Sequence, residues 1–244
     1  MQPTRTLFEA IGHRLGQKAA QAKNAFDLMG GTEEDSLRAE IRLGRDLAAA
    51  LLERIPLVEE NETTRFVTQI GSWLGGNVKE RKLPFHVRVT AERQANALAL
   101  PGGPVFISWP LLEMCHGERD AIAFLIGHEM AHILLRHAVD RIVKDAAVSL
   151  LLRKASGRQA ASAWLNKAGR QLLGTYSREV EFEADAYSIS LLRTAGGDPL
   201  IAAHFLEELV QRSSVQSIGD SGEYFSNHPP LVERIANLHA RIQG

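Results

Sequence analysis

The stretch His128-Glu129-Met130-Ala131-His132 sits in a run that is apolar on almost every side. Ala121-Ile122-Ala123-Phe124-Leu125-Ile126-Gly127 precedes it and Ile133-Leu134-Leu135 follows. Two histidines four residues apart share one face of an α-helix, one turn from each other, so their imidazoles can converge on one ion. A helix that is apolar all round is a buried one. Histidines buried there need partners, and a shared cation supplies one. Glu129 lies beside the histidine stripe, where it can reach a metal-held water as general base without ligating. Composition alone would produce this HExxH pattern about 0.03 times in such a chain, so two hydrogen-bonded core histidines with an incidental glutamate is the poorer reading.

A catalytic zinc takes three protein ligands and keeps a fourth position for water. No histidine or glutamate completes such a site at short, glycine-containing spacing after His132. His137, five residues on, turns away from the ligand face and reads as an end-of-helix histidine meeting the last carbonyls. The better third donor lies in Ser177-Arg178-Glu179-Val180-Glu181-Phe182-Glu183-Ala184-Asp185. As a helix, this segment puts Glu181 and Asp185 on one face and points Glu183 elsewhere. Glu181 then makes a site of two histidines and one glutamate. Asp185, one turn along, is placed to accept the remaining N–H of a ligand histidine.

Outward from these two helices, the chain is expected to be helical from about Glu118 on, with breaks at Ser156-Gly157 and Gly196–Pro199 and a polar loop over Arg212–Gly222. Upstream, Pro84–Thr90 alternates in the strand manner through Phe85, Val87 and Val89. Asn96–Leu100 and Val105–Ser108 are two further short strands, divided by the turn Pro101-Gly102-Gly103-Pro104. Earlier still come helices over Ser36–Arg54 and Glu62–Leu83, the latter with Phe66, Ile70 and Leu74 at helical spacing. An N-terminal amphipathic helical arm occupies 1–31, with Leu7, Ile11 and Leu15 on one face and Gly30-Gly31 at its end. Residues 32–244 then form a single α+β domain, mainly helical, with a small antiparallel sheet whose edge strand borders the active-site cleft.

Composition narrows the function classes. The chain has 244 residues, enough to bury a substantial core, and 28 Lys+Arg against 29 Asp+Glu leave a net charge of −1. That balance argues against nucleic acid as a partner, since phosphate binding wants a basic excess. Cys115 is the only cysteine, so an internal disulfide or a multi-cysteine metal site is excluded and the nine histidines carry any metal chemistry. Cys115 itself reads as a packing residue. No apolar run reaches the 18 or so residues of a transmembrane span, and the N-terminus lacks a secretory h-region. The chain as written is therefore expected to be cytoplasmic or membrane-peripheral, or periplasmic if a signal or anchor was removed. Arg5, Arg14, Lys18 and Lys23 on the arm leave peripheral membrane contact open beside plain packing on the body.

With its further motifs the chain resembles the gluzincin metallopeptidases of peptidase family M48. That family holds the HtpX-type heat-shock proteases, the CAAX prenyl endopeptidases, a mitochondrial inner-membrane stress protease and periplasmic assembly proteases. HEMAH is followed by EFEAD, with Glu181 49 residues after His132 (181 − 132). Asn96-Ala97-Leu98-Ala99-Leu100-Pro101-Gly102-Gly103 is similar to the family's NAFALPGG edge-strand motif. Ser226-Asn227-His228-Pro229-Pro230-Leu231-Val232-Glu233-Arg234-Ile235 is similar to its HPxxxxRI motif. Four motifs in order span about Glu62 to Leu238. The multi-spanning segments of the HtpX and prenyl-protease branches are missing, which points to the soluble branch. Trp109-Pro110 and Ala186-Tyr187-Ser188 depart from the family pattern, away from any ligand.

The resemblance implies one zinc ion per chain, held by His128, His132 and Glu181, with Glu129 as catalytic base and Asp185 behind a ligand histidine. His228 matches a histidine that fills the metal's open position or sits beside substrate. His228 and Arg234 are the candidate donors to the oxyanion. The implied activity is zinc-dependent endopeptidase cleavage of unfolded or damaged proteins, Glu129 activating a zinc-bound water. An extended polypeptide substrate would pair along the edge strand at Asn96, Ala97, Leu98 and Ala99. The alternative is a latent, zinc-stabilised chaperone or binding module with little proteolytic activity, and a small-molecule amidase is a third reading.

Overall fold

A computed structural model of the protein describes residues 32–141, 175–215, 228 and 231–243. The expectations for the arm at 1–31, for the Ser156-Gly157 break and for the chain at 216–227 lie outside the described residues. The elements run α1 (Glu33–Leu52), α2 (Glu62–Gly75), β1 (His86–Thr90), β2 (Ala97–Ala99), β3 (Pro104–Ser108), α3 (Trp109–Glu113), α4 (Arg119–Leu134), α5 (Arg178–Ala195), α6 (Pro199–Val215) and α7 (Leu231–Gln243). They group into two compact units. Met1–Arg54, Leu100–Gly102 and Arg136–Gly174 make the first, and Ile55–Ala99, Gly103–Leu135 and Thr175–Gly244 the second. Among the described residues, no helix is long and apolar enough to cross a membrane.

In the first unit, α1 starts on a capping box: Thr32 Oγ1 accepts from Asp35 N at 3.2 Å, and the Asp35 carboxylate accepts from Thr32 N at 3.3 Å. On its inner face Ala39 packs against Val139, and the fully buried Glu40 pairs with Arg136 at 3.0 Å.

All the candidate site residues lie in the second unit. α2 is capped reciprocally by Asn61 and Thr64 and stops at Gly75, eight residues short of the expected Leu83. Gly75-Gly76 favours neither helix nor strand, and Asn77 Nδ2 closes the end by donating to Trp73 O at 2.9 Å. Val78 and Leu83 still pack on the core, from irregular chain, which is why the apolar pattern ran past the helix.

The sheet is mixed, not antiparallel as expected. In the order β1-β3-β2, β3 pairs with β1 in parallel, Val87 opposite Val105, and with β2 antiparallel, Leu98 opposite Phe106. The Gly102-Gly103 turn, with φ of 78° and 130°, brings β3 back against β2, as its sequence suggested. Where β1 joins is a long-range choice that no turn residue signals. Its outer edge is covered by the 56–58 segment, with Val58 N donating to Val89 O at 3.0 Å. β2 therefore carries the free edge of the sheet among the described residues, and it packs alongside α4.

The apolar helix α4 is buried from Ala121 to Leu134. It ends where Arg136 takes φ of 60°, and a new helical stretch begins at His137. His137 thus stands at the start of that stretch. α5 follows Ser177 and closes at Gly196, φ 85°, with Gly197 N donating to Leu192 O at 2.9 Å. α6 opens on Pro199 and continues through Val215, past the expected loop start at Arg212. The short α3, with Pro110 in its first turn, was not signalled by any periodicity. Cys115 is buried after it, and burial pushes its thiol far above the ordinary range, as suits a packing residue.

Candidate metal centre

α4 and α5 approach each other closely where Gly127 meets Ser188. A Cβ on Gly127 would stand 2.6 Å from Ser188 Oγ, which itself donates to Phe124 O at 2.8 Å. This approach, one residue before His128, lets the carboxylates of α5 reach the histidines of α4. Glu181, Asp185 and Ser188 line the buried face of α5, while Glu183 is exposed. His228 enters from the chain ahead of α7, and Arg234 from the first turns of α7 itself.

One donor atom from each of His128, His132, Glu181 and His228 lies within 4.8 Å of the others, and all four residues are buried. His128 Nε2 is 3.1 Å from His132 Nε2, 3.4 Å from Glu181 Oε2 and 3.3 Å from His228 Nδ1. His132 Nε2 is 3.5 Å from Glu181 Oε1, which is 3.1 Å from His228 Nδ1. Zinc bonds of about 2.0–2.1 Å at tetrahedral angles set donors about 3.3 Å apart. These five separations, 3.1–3.5 Å, fit that spacing. The charges fit as well: among the described residues, Arg234 is the one buried guanidinium beside the buried carboxylates of Glu129, Glu181 and Asp185. Three minus one leaves two negative charges, which one divalent cation, or protons on the imidazoles, balances.

Around this cluster the supporting contacts are specific. His128 Nδ1 meets Asp185 Oδ1 at 2.9 Å, the bond expected of an orienting carboxylate. Arg234 donates to Asp185 Oδ1 and Oδ2 and to the His228 carbonyl at 3.1 Å, and forms an ion pair with Glu181 Oε2 at 3.2 Å. Burial opposes ionisation of Asp185, but Arg234 and the hydrogen bond to His128 outweigh it and hold its carboxyl below the ordinary range. Arg234 is thus committed to protein acceptors on all its nitrogens. Glu129 differs. Its Oε1 is buried without a hydrogen-bond partner, 3.6 Å from His228 Nε2. Burial pushes its carboxyl above the ordinary range against the pull of His228 and His128, the direction a proton acceptor working near neutral pH needs.

Asn96 heads the free-edge strand. Its N–H donates to Ser108 Oγ at 2.8 Å, its Nδ2 donates to Glu92 at 3.3 Å, and its buried Oδ1 has no partner. Ala97 and Ala99 are buried, and Leu98 is half-buried. The departures from the family pattern have local roles: Tyr187 donates to Glu80 Oε2 at 2.9 Å, and Ser188 sits under Gly127. One residue escaped the sequence reading. The ring of Tyr176 stacks on His132 with centroids 4.2 Å apart and planes at 18°. Its only signal is its place two residues before α5. A groove of about 360 Å³ between Leu57, Thr64 and Arg88 lies elsewhere, and none of the metal-centre residues lines it.

Comparison with known proteins gives a consistent result. The model of the family described as Peptidase family M48 matches residues 64–242, about three quarters of the chain. The mitochondrial metalloendopeptidase OMA1 of Schizosaccharomyces pombe is 34% identical over 158 residues, covering 64% of this chain and 46% of its own. The β-barrel assembly-enhancing protease of Escherichia coli is 27% identical over 219 residues, covering 84% and 44%. The metalloprotease LoiP of Escherichia coli is 26% identical over 235 residues, covering 94% and 86%. The chain spans less than half the length of the first two relatives.

Proposed function

The chain belongs to peptidase family M48, and on that premise we propose that it is a zinc-dependent endopeptidase acting on unfolded or damaged polypeptides. The observation that carries this reading is Glu129: a buried carboxylate with an unpartnered oxygen, beside four buried donors within 4.8 Å of one another. A purely structural site needs no such base. Three imidazoles and one carboxylate are a donor set that suits zinc, one ion per chain. Zinc held there supplies Lewis-acid polarisation of the scissile carbonyl and makes a water acidic near neutral pH.

The chain's own residues do the rest. Glu129 accepts the proton of the attacking water on its open oxygen and returns it to the leaving amine. Asp185 keeps His128 in the tautomer that presents Nε2 to the metal, and Arg234 holds Asp185 and Glu181 in register between α5 and α7. With Arg234 so engaged, His228 is the better donor to a developing oxyanion. Substrate adds as a strand along Ala97–Ala99, its backbone N–H and C=O groups pairing with the free edge. Asn96 Oδ1 offers an acceptor at the head of that strand. Main-chain pairing reads little side-chain identity, which suits chains that have lost their fold.

A second reading has its own support. His228 Nδ1 stands at the fourth corner of the donor cluster, where it competes with the water that Glu129 must activate. We therefore assign His228 a gating role in a latent resting state, from which it withdraws when substrate binds. A permanently latent, zinc-stabilised binding module is the extreme of this reading. Elemental analysis run beside cleavage of an unfolded protein such as reduced casein tests the proposal. About one zinc per chain with chelator-sensitive cleavage supports the enzyme; zinc without cleavage, even of a strand-like peptide, supports the binding module.

A further inference from the structure

We propose that Tyr176 is a positioning residue of the metal centre, its ring face fixing the imidazole of His132. This inference rests on the metal-centre reading above. The two ligand histidines of α4 are supported in different ways. His128 is held in its ring plane, through Nδ1, by Asp185 at 2.9 Å. His132 is held across its ring face: the Tyr176 ring lies 4.2 Å away with an interplanar angle of 18°. Rotation of the His132 ring about its Cβ–Cγ bond would drive its edge into the phenol ring, so only near-parallel orientations fit. Those are the orientations that keep His132 Nε2 at 3.1 Å from His128 Nε2 and 3.5 Å from Glu181 Oε1.

Two further placements strengthen the case. Tyr176 is half-buried, whereas His132 is only 1% exposed, so the phenol forms the outer wall over that imidazole. Tyr176 also stands two residues ahead of α5, whose first turn carries Glu181. One short segment therefore positions a histidine of α4 and supplies the carboxylate that completes its donor set. The same ring borders His228, with centroids 6.1 Å apart, so it flanks the group assigned as the gate.

The stacking requires the ring and not the hydroxyl, which makes the inference testable by substitution. Zinc affinity is measured in the full chain by competition with a chromophoric chelator, and the visible d–d bands of the cobalt-loaded protein report donor geometry. An aromatic pair of this kind predicts that Tyr176→Leu and Tyr176→Met weaken zinc about three- to tenfold and shift the cobalt bands. Tyr176→Phe should stay within about twofold of the unaltered chain with unchanged bands. Thermal unfolding of the metal-free variants separates loss of positioning from loss of fold, and two ring-less side chains guard against one that misfolds. Unchanged affinity and bands in folded Tyr176→Leu and Tyr176→Met overturn the inference, as does Tyr176→Phe losing as much as they do. Failure of the unaltered chain to bind zinc overturns the metal-centre reading itself.

Discussion

Arg234 and Asp185 are joined by two parallel charge-assisted hydrogen bonds, Nη2 to Oδ1 at 2.7 Å and Nε to Oδ2 at 2.8 Å, with both side chains fully buried. The pair ties α7 to α5 directly behind the histidine that Asp185 orients. Removing the guanidinium leaves two buried carboxylates, Asp185 and Glu181, without their cation. Arg234→Met should therefore destabilise the metal-free protein by about 3–5 kcal/mol, the range for breaking one side of a buried pair. Denaturant unfolding of the variant measures this, and a loss within error of zero would mean that the pair is not formed in solution.

Metal binding should separate three of the four acidic residues in α5's first two turns. Glu181→Ala removes a donor and should strip most of the zinc, while the exposed Glu183→Ala should leave occupancy unchanged. Asp185→Ala should weaken affinity about 10–100-fold, as losses behind a ligand histidine do. Elemental analysis after dialysis against a weak chelator ranks them. Glu183→Ala losing metal while Glu181→Ala keeps it contradicts the assignment.

The approach of α4 to α5 at Gly127 gives a packing prediction that reaches the site. Gly127→Ala forces its Cβ against Ser188 and should cost about 1–3 kcal/mol of stability and lower zinc affinity, because Glu181 is levered from the histidines. Ser188→Ala removes the atom at 2.6 Å and leaves contacts of 3.5 Å or more. The double variant should thus recover at least about 1 kcal/mol relative to the sum of the singles. Simple additivity in a double-mutant cycle would show that the two side chains do not meet.

Much of the centre was legible because its parts are local. His128 with His132 and Glu181 with Asp185 are each one helical turn apart, and helical periodicity sorts Glu183 from its neighbours without any knowledge of the fold. The turn at Gly102-Gly103 marked the return of β3 beside Ala97–Ala99, while the edge position rested on the resemblance to the family's edge-strand motif. What escaped depends on distance in space. The parallel pairing of β1 with β3 joins segments that no turn links, so the mixed sheet had no local mark. The end of α2 was obscured because Val78 and Leu83 serve the same core from non-helical chain. Tyr176 carries no pattern at all; only the folded chain lays it on His132.

His228 supports two roles that predict opposite signs. As a gate at the fourth corner it suppresses turnover, so His228→Ala should raise basal cleavage of an unfolded substrate. As a donor to the oxyanion it assists turnover, and its loss should lower kcat by about 10²–10³. The 3.3 Å and 3.1 Å approaches of Nδ1 to His128 and Glu181 favour the gate. Measuring kcat at matched zinc occupancy decides it, and a fall in rate at full zinc rules the gate out as the dominant role.

If Glu129 performs chemistry without holding the metal, Glu129→Gln separates cleavage from binding. The amide keeps the shape of the buried side chain but cannot take up the proton. Zinc content and cleavage of an unfolded substrate are measured on the same preparation. About one zinc per chain is expected, as in the unaltered protein, with turnover lower by several orders of magnitude. Full cleavage by a clean, zinc-loaded Glu129→Gln preparation would contradict it.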